Sequence, residues 1–170
     1  MHYQLLWRTF IISFALTAAY TDIRSRKIPR SLNIAGFVIG ILVNTYLGFG
    51  LQALGASAVA FLIGLALFYL GAIGGGDVKL ITSLAAMLRL NSWSSAMWIA
   101  MLAAAVMAIV QVVRHRAVMQ TLLNIFELLK SFAKTGFRPH PVLNVRNEKL
   151  IRSPFAVAAA VGTVFVVLRP

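Results

Sequence analysis

The sequence predicts an all-α polytopic membrane protein with six transmembrane helices and an amphipathic helix on one membrane face. Three observations predict it. Of 170 residues, 60% are apolar and only 12% are charged, and the mean hydropathy is +0.85. A soluble globule carries about 25% charged residues, so this chain could not cover a water-facing surface. Apolar stretches recur at lengths suited to a bilayer, and the basic residues gather between alternate stretches. This composition excludes a soluble enzyme, a disordered tail and a secreted disulfide scaffold. The chain has no cysteine, which also removes any cysteine-built zinc site.

A span needs about 20 apolar residues, with short versions near 17. The stretches 4–21, 34–49, 53–73, 78–90, 93–113 and 154–168 are the candidates. The fourth is short: at 1.5 Å per residue it reaches only about 20 Å. It must borrow residues from its flanks, sit where the bilayer thins, or start inside the membrane. The first ends in small residues, as a signal peptide does. Arg8 lies within it, however, and cleavage would leave the basic stretch Arg24–Arg30 outside, so it is expected to stay.

Six spans give alternating loops. Thirteen of the sixteen Lys and Arg fall in or beside 22–33, 74–79 and 114–153. That bias puts these segments in the cytoplasm and both termini outside. A net charge of +12 in a soluble protein would suggest nucleic acid. Here the basic residues lie between apolar spans, so they set topology and attract anionic lipids, and no nucleic-acid role is expected.

The connection 114–153 is the one long loop. Within it, 117–134 is amphipathic: Val118, Leu122, Ile125, Phe126, Leu129 and Phe132 recur at helical spacing, with Gln120, Asn124, Glu127, Lys130 and Lys134 opposite. It reads as a helix on the cytoplasmic face, either with its lysines at lipid headgroups or packed on its own bundle. The segment 136–147 carries two prolines and reads as loop.

Only four residues are acidic. Glu127 precedes Lys130 by three positions on the amphipathic helix, and Glu148 sits between Arg146 and Lys149; both read as solvated ion pairs. Asp22 closes the first span and Asp77 opens the fourth. An acid at membrane depth is costly and needs a partner or a function. The topology brings both to the cytoplasmic end. Two carboxylates at close range in a low dielectric cannot both ionise, and they share a proton. Such a pair can hydrolyse a peptide bond: the ionised acid takes a proton from water and the protonated acid polarises the carbonyl. Other readings stay open. Asp22 could pair with Arg24 or Arg26, and Asp77 could cap the fourth span. A transporter or an assembly scaffold would also fit, although a transporter should hold polar residues nearer the midplane.

Gly74, Gly75 and Gly76 stand directly before Asp77. Glycines here should stop a helix, let another backbone approach and leave non-helical chain beside a water-accessible hollow. His2, His115 and His140 lack partners at metal-ligand spacing, and neither a phosphate-binding glycine loop nor a Ser/His/Asp arrangement appears. No metal and no cofactor are expected.

The segment Gly74-Gly75-Gly76-Asp77-Val78-Lys79-Leu80 resembles the G-x-G-D-x-K-L signature of the type IV prepilin peptidases, membrane aspartyl proteases of the GxGD type. Asp22-Ile23-Arg24-Ser25-Arg26-Lys27-Ile28-Pro29 resembles their first aspartate motif. Arg152-Ser153-Pro154-Phe155-Ala156-Val157-Ala158 is similar to the start of their last span. In the family an Asn commonly follows the Pro of the first motif; here that position is Arg30, with Asn33 three residues on. Larger members carry a cytoplasmic insert with paired cysteines and N-methylate the new terminus. With only 23–33 between its first two spans, this chain resembles the small, peptidase-only members of Flp (Tad) pilus systems, which act on prepilins and pseudopilins at the inner membrane.

The resemblance implies that Asp22 and Asp77 are the catalytic pair and that Gly74 and Gly76 shape the backbone around Asp77. Lys79 lies about 200° around the helix from Asp77, so it either snorkels to headgroups or meets an acidic substrate residue. A cationic face would repel a basic leader, so Arg24, Arg26, Lys27 and Arg30 read as topology and lipid residues. A different GxGD protease, such as a preflagellin or signal-peptide-type peptidase, shares the chemistry but not the substrate.

Overall fold

The computed structural model describes residues 2–135 and 153–169. The expectations that fall on 136–152 lie outside the described residues: the loop 136–147, the pairing of Glu148, His140, and Arg152 of the last motif. The described chain is helical. Its elements are α1 (His2–Ser25), α2 (Arg30–Tyr46), α3 (Gly50–Tyr69), α4 (Gly75–Arg114), α5 (Val118–Thr135) and α6 (Phe155–Leu168). By length and apolarity α3 and α4 can cross a membrane; α6 is apolar but has 14 residues.

Glycine fixes two of the helix ends. α2 ends in a Schellman turn: Gly48 takes φ +81, its N–H donates to the Thr45 carbonyl, and the Phe49 N–H donates to Asn44. α3 ends the same way, with Gly71 at φ +74 and N–H bonds from Gly71 to Phe68 and from Ala72 to Leu67. Both positions need the left-handed conformation that glycine adopts without a side-chain clash. The chain then runs without helix through 70–74 and re-enters at Gly75.

α4 contains two of the expected spans. The stretches 78–90 and 93–113 are its two arms, separated by a break at Arg89 with φ 61 and ψ 172. That break exposes carbonyls of the last turn before it. The buried Asn44 of α2 answers them: its Nδ2 donates to the carbonyls of Ala86 at 2.9 Å and Met87 at 3.3 Å. The Arg89 guanidinium lies 4.1 Å from the Phe49 ring centroid. The first arm is short because the bundle, not lipid, surrounds it: Val78, Leu80, Ile81, Leu84, Ala85 and Met87 are all buried.

α4 is the centre of the molecule. It packs against α2, α3 and α6, and α1 joins the bundle chiefly through α6. Small residues make many of the contacts: Ala15, Ala18, Ala56, Ala60, Ala96 and Ala159 are buried beside Phe14, Leu84, Met87 and Trp93, while Leu6, Leu42, Leu62 and Leu102 face outward. Small residues at the seams and large apolar ones on the outside suit helices packed in lipid, where backbones approach closely. Gly162 of α6 sits so close to the Ala96 carbonyl and the Ala100 N–H of α4 that any Cβ there would overlap them.

α5 differs from one of its two expected placements. Its apolar face does not pack on the bundle, since Val118, Leu122, Ile125, Phe126 and Leu129 are all exposed. Its half-buried residues are Thr121, Asn124, Leu128 and Ser131, one line at helical spacing.

Candidate active site

Asp77 occupies the third position of α4, after an N-cap at Gly74 in extended conformation (φ −82, ψ 157). The Gly74 N–H donates to Asp77 Oδ2 at 3.0 Å. The acid therefore does contribute to capping, by reaching back to the backbone from the first turn rather than as the N-cap itself. A Cβ on Gly74 would stand 3.2 Å from the same oxygen, so glycine lets the carboxylate lie against the main chain. Gly75 and Gly76 do not stop a helix, contrary to expectation; they begin one. The non-helical backbone that lines the hollow is 71–74 instead. A Cβ on Gly76 would come no nearer than 4.0 Å to Ile28. Gly76 offers its carbonyl, which the buried Asn33 Nδ2 approaches at 3.5 Å.

Asp22 lies in the last turn of α1 and is buried, with 8% of its surface exposed. Its Oδ2 accepts the N–H of Ala156 at 3.1 Å, across 134 positions of sequence. Pro154 is the N-cap of α6, so Ala156 holds one of the N–H groups that a helix start leaves unpaired. A carboxylate there satisfies the donor and meets the positive end of the helix. This contact gives the Ser153–Ala158 motif a physical role. Arg24 does not pair with Asp22; its Nη1 donates to the Tyr20 hydroxyl at 2.8 Å.

The two carboxylates line one cavity of about 1450 Å³. That volume exceeds the roughly 300–1,000 Å³ of small-molecule pockets and suits a stretch of peptide. It lies at the end of the bundle where α1 and α3 finish and α2 and α6 begin. Gln111, near the end of α4, lines it as Asp77 does, so the second arm of α4 returns to the level where the first began.

Arg26, Lys27 and Arg30, read from the sequence as topology and lipid residues, line this cavity, and so does the exposed Lys79. Arg26 takes φ 54 at the end of α1, where the chain turns into the 26–29 connection that lines the cavity. Sequence reasoning named Asn33 only beside the Arg30 departure and passed over Asn44, an amide inside the 34–49 stretch. The position of Asn44 was the available signal, since a buried polar group needs a partner.

A helical bundle with helices of membrane-crossing length, two carboxylates fixed at one end and a peptide-sized cavity between them belongs to the class of membrane proteins with an ionisable site at the bundle end. The sequence profile of the type IV leader peptidase family matches residues 9–109, which include both aspartates. The chain belongs to the type IV leader peptidase family. It is 44% identical over 86 residues to prepilin peptidase EppA of Methanocaldococcus jannaschii, covering 48% of this chain and 24% of that protein. It is 35% identical over 80 residues to the preflagellin peptidase of Methanococcus voltae, covering 43% of this chain and 34% of that protein. The chain thus matches a quarter to a third of the length of these relatives. No solved structure matches it.

Proposed function

We propose that this chain is an aspartic endopeptidase of the membrane that removes the leader peptide from type IV prepilins and pseudopilins, with Asp22 and Asp77 as its catalytic pair. One observation carries the reading: the aspartate of the GxGD motif and the acid that closes α1 line the same cavity. Backbone N–H groups from Gly74 and Ala156 each hold one carboxylate oxygen in place.

In this mechanism one aspartate is ionised and takes a proton from a water held between the pair. The hydroxide attacks the scissile carbonyl carbon. The protonated partner donates a hydrogen bond to the carbonyl oxygen as it gains negative charge. Collapse of the tetrahedral intermediate breaks the C–N bond, and the leaving amine takes up a proton from the pair. Holding both carboxylates by backbone contacts keeps their geometry fixed at no reorganisation cost during reaction.

The charge distribution supports a cytoplasmic site, six crossings with both termini outside, and anionic lipids around the basic segments; the membrane in this reading is a bacterial inner membrane. The short connection between α1 and α2 supports a peptidase without N-methyltransferase activity, as in small Flp (Tad) members. Preflagellin is the alternative substrate, favoured by the match to a preflagellin peptidase. Co-expression with a Flp-type prepilin and, separately, with a preflagellin tests both. Leader removal from the prepilin is the expected result. Cleavage of the preflagellin alone selects the alternative, and cleavage of neither leaves the scaffold or transporter readings in its place.

A further inference from the structure

α5 is amphipathic, yet it turns its polar side inward. Gln120, Thr121 and Asn124 line the cavity that holds Asp22 and Asp77, beside the apolar Ile125 and Leu128. Leu122, Phe126 and Leu129 point away and are 57%, 68% and 61% exposed. Most of its large apolar residues therefore stay outside the bundle. Its outer face suits lipid, and its cavity side is mixed, with neutral polar groups beside Ile125 and Leu128.

Those groups are ordered. Gln120 Nε2 donates to Asn124 Oδ1 at 3.1 Å, which leaves the Asn124 amide to donate and the Gln120 carbonyl to accept. Gln111 of α4 adds a third amide to the same cavity. A peptide entering this cavity must be extended for a scissile bond to reach two carboxylates, and extended main chain has N–H and C=O groups that need partners away from water. Side-chain amides provide both a donor and an acceptor without charge, so they hold main chain of any sequence. The Arg26, Lys27 and Arg30 side of the cavity cannot do this, because cations only donate.

We propose that Gln120 and Asn124 of α5, with Gln111 of α4, bind the main chain of the peptide substrate in extended form beside the two aspartates. The proposal rests on the peptidase reading of the site. It places substrate binding on a helix beyond the residues matched by the family profile, which end at 109.

The test uses the full chain in liposomes and a prepilin-type protein as substrate, with initial rates across substrate concentrations. Wild type is measured first; if it cleaves no such substrate, the peptidase reading fails and this proposal with it. Replacing Gln120→Leu and Asn124→Leu together keeps helix propensity and side-chain length while removing the amides. The expected result is a rise in KM of about tenfold with kcat within about twofold, as for contacts made equally in ground and transition states. Glu127→Gln, exposed on α5 and outside the cavity lining, should leave KM unchanged. An active leucine pair with wild-type KM overturns the proposal, as does a loss confined to kcat. If the leucine pair does not fold, Asn124→Ser decides: a KM raised about threefold supports the proposal, and an unchanged KM overturns it.

Discussion

Gly74 and Asp77 constrain each other, because the carboxylate lies against the main chain that precedes it. Gly74→Ala would put a methyl 3.2 Å from Asp77 Oδ2 and push the carboxylate aside by a few tenths of an ångström. Since a displacement of 1 Å can cost about a hundredfold in rate, cleavage should fall about tenfold while the melting temperature changes little. Steady-state rates and thermal melts on the purified variant check this together. Arg89 poses the opposite case. At φ 61 and ψ 172 it occupies a region nearly reserved for glycine, at a cost of about 1–3 kcal/mol. Its stacking on Phe49 returns about 0.5–1 kcal/mol. Arg89→Gly should therefore raise the melting temperature by about 2–4 °C; a fall would mean that the ring contact outweighs the backbone strain. The sequence made Asp22 and Asp77 legible because only four acids were available to weigh and two lay at span ends. It could not show the Ala156 contact, since which helix start meets a carboxylate depends on packing between the two ends of the chain.

Helix ends and helix faces differed in how far they could be read. The arms of α4 were visible as 78–90 and 93–113 because Arg89 and Asn91 interrupt the apolar run. The need for a thin bilayer around the first arm disappears once the arm is wrapped by protein. A periodic stripe, as on α5, shows that a helix has two faces but not which one meets the bundle. Lipid accepts an apolar face as readily as a core does, so α5 could turn its amides inward. Close packing of α6 on both α4 and α1 accompanies the contact of the Ala156 N–H with Asp22. Gly162→Ala forces a methyl into the Ala96 carbonyl, an overpacking change that costs about 1–3 kcal/mol. It should lower both the melting temperature and the cleavage rate. Gly55→Ala, where a methyl meets nothing within 4 Å, should be neutral or stabilising by about 0.5–1 kcal/mol. Equal behaviour of the two variants would remove α6 docking from the account of the site.

Across the whole molecule, the ends of α1 and α3, the starts of α2, α4 and α6, and the return of the second α4 arm converge on one cavity. Two acids 55 positions apart in the sequence become neighbours because their helices finish and begin at the same end of the bundle. The peptidase reading requires them to act as a unit. Asp22→Asn and Asp77→Asn each replace a carboxylate by an amide of nearly equal volume, which cannot take a proton from water. The direct measurement is leader removal from a co-expressed prepilin by wild type, each single variant and the double, read as a gel shift. Each single variant should lose about a thousandfold or more in rate, and the double should be no worse than either single. Cleavage near the wild-type rate by either single variant would contradict the two-aspartate site.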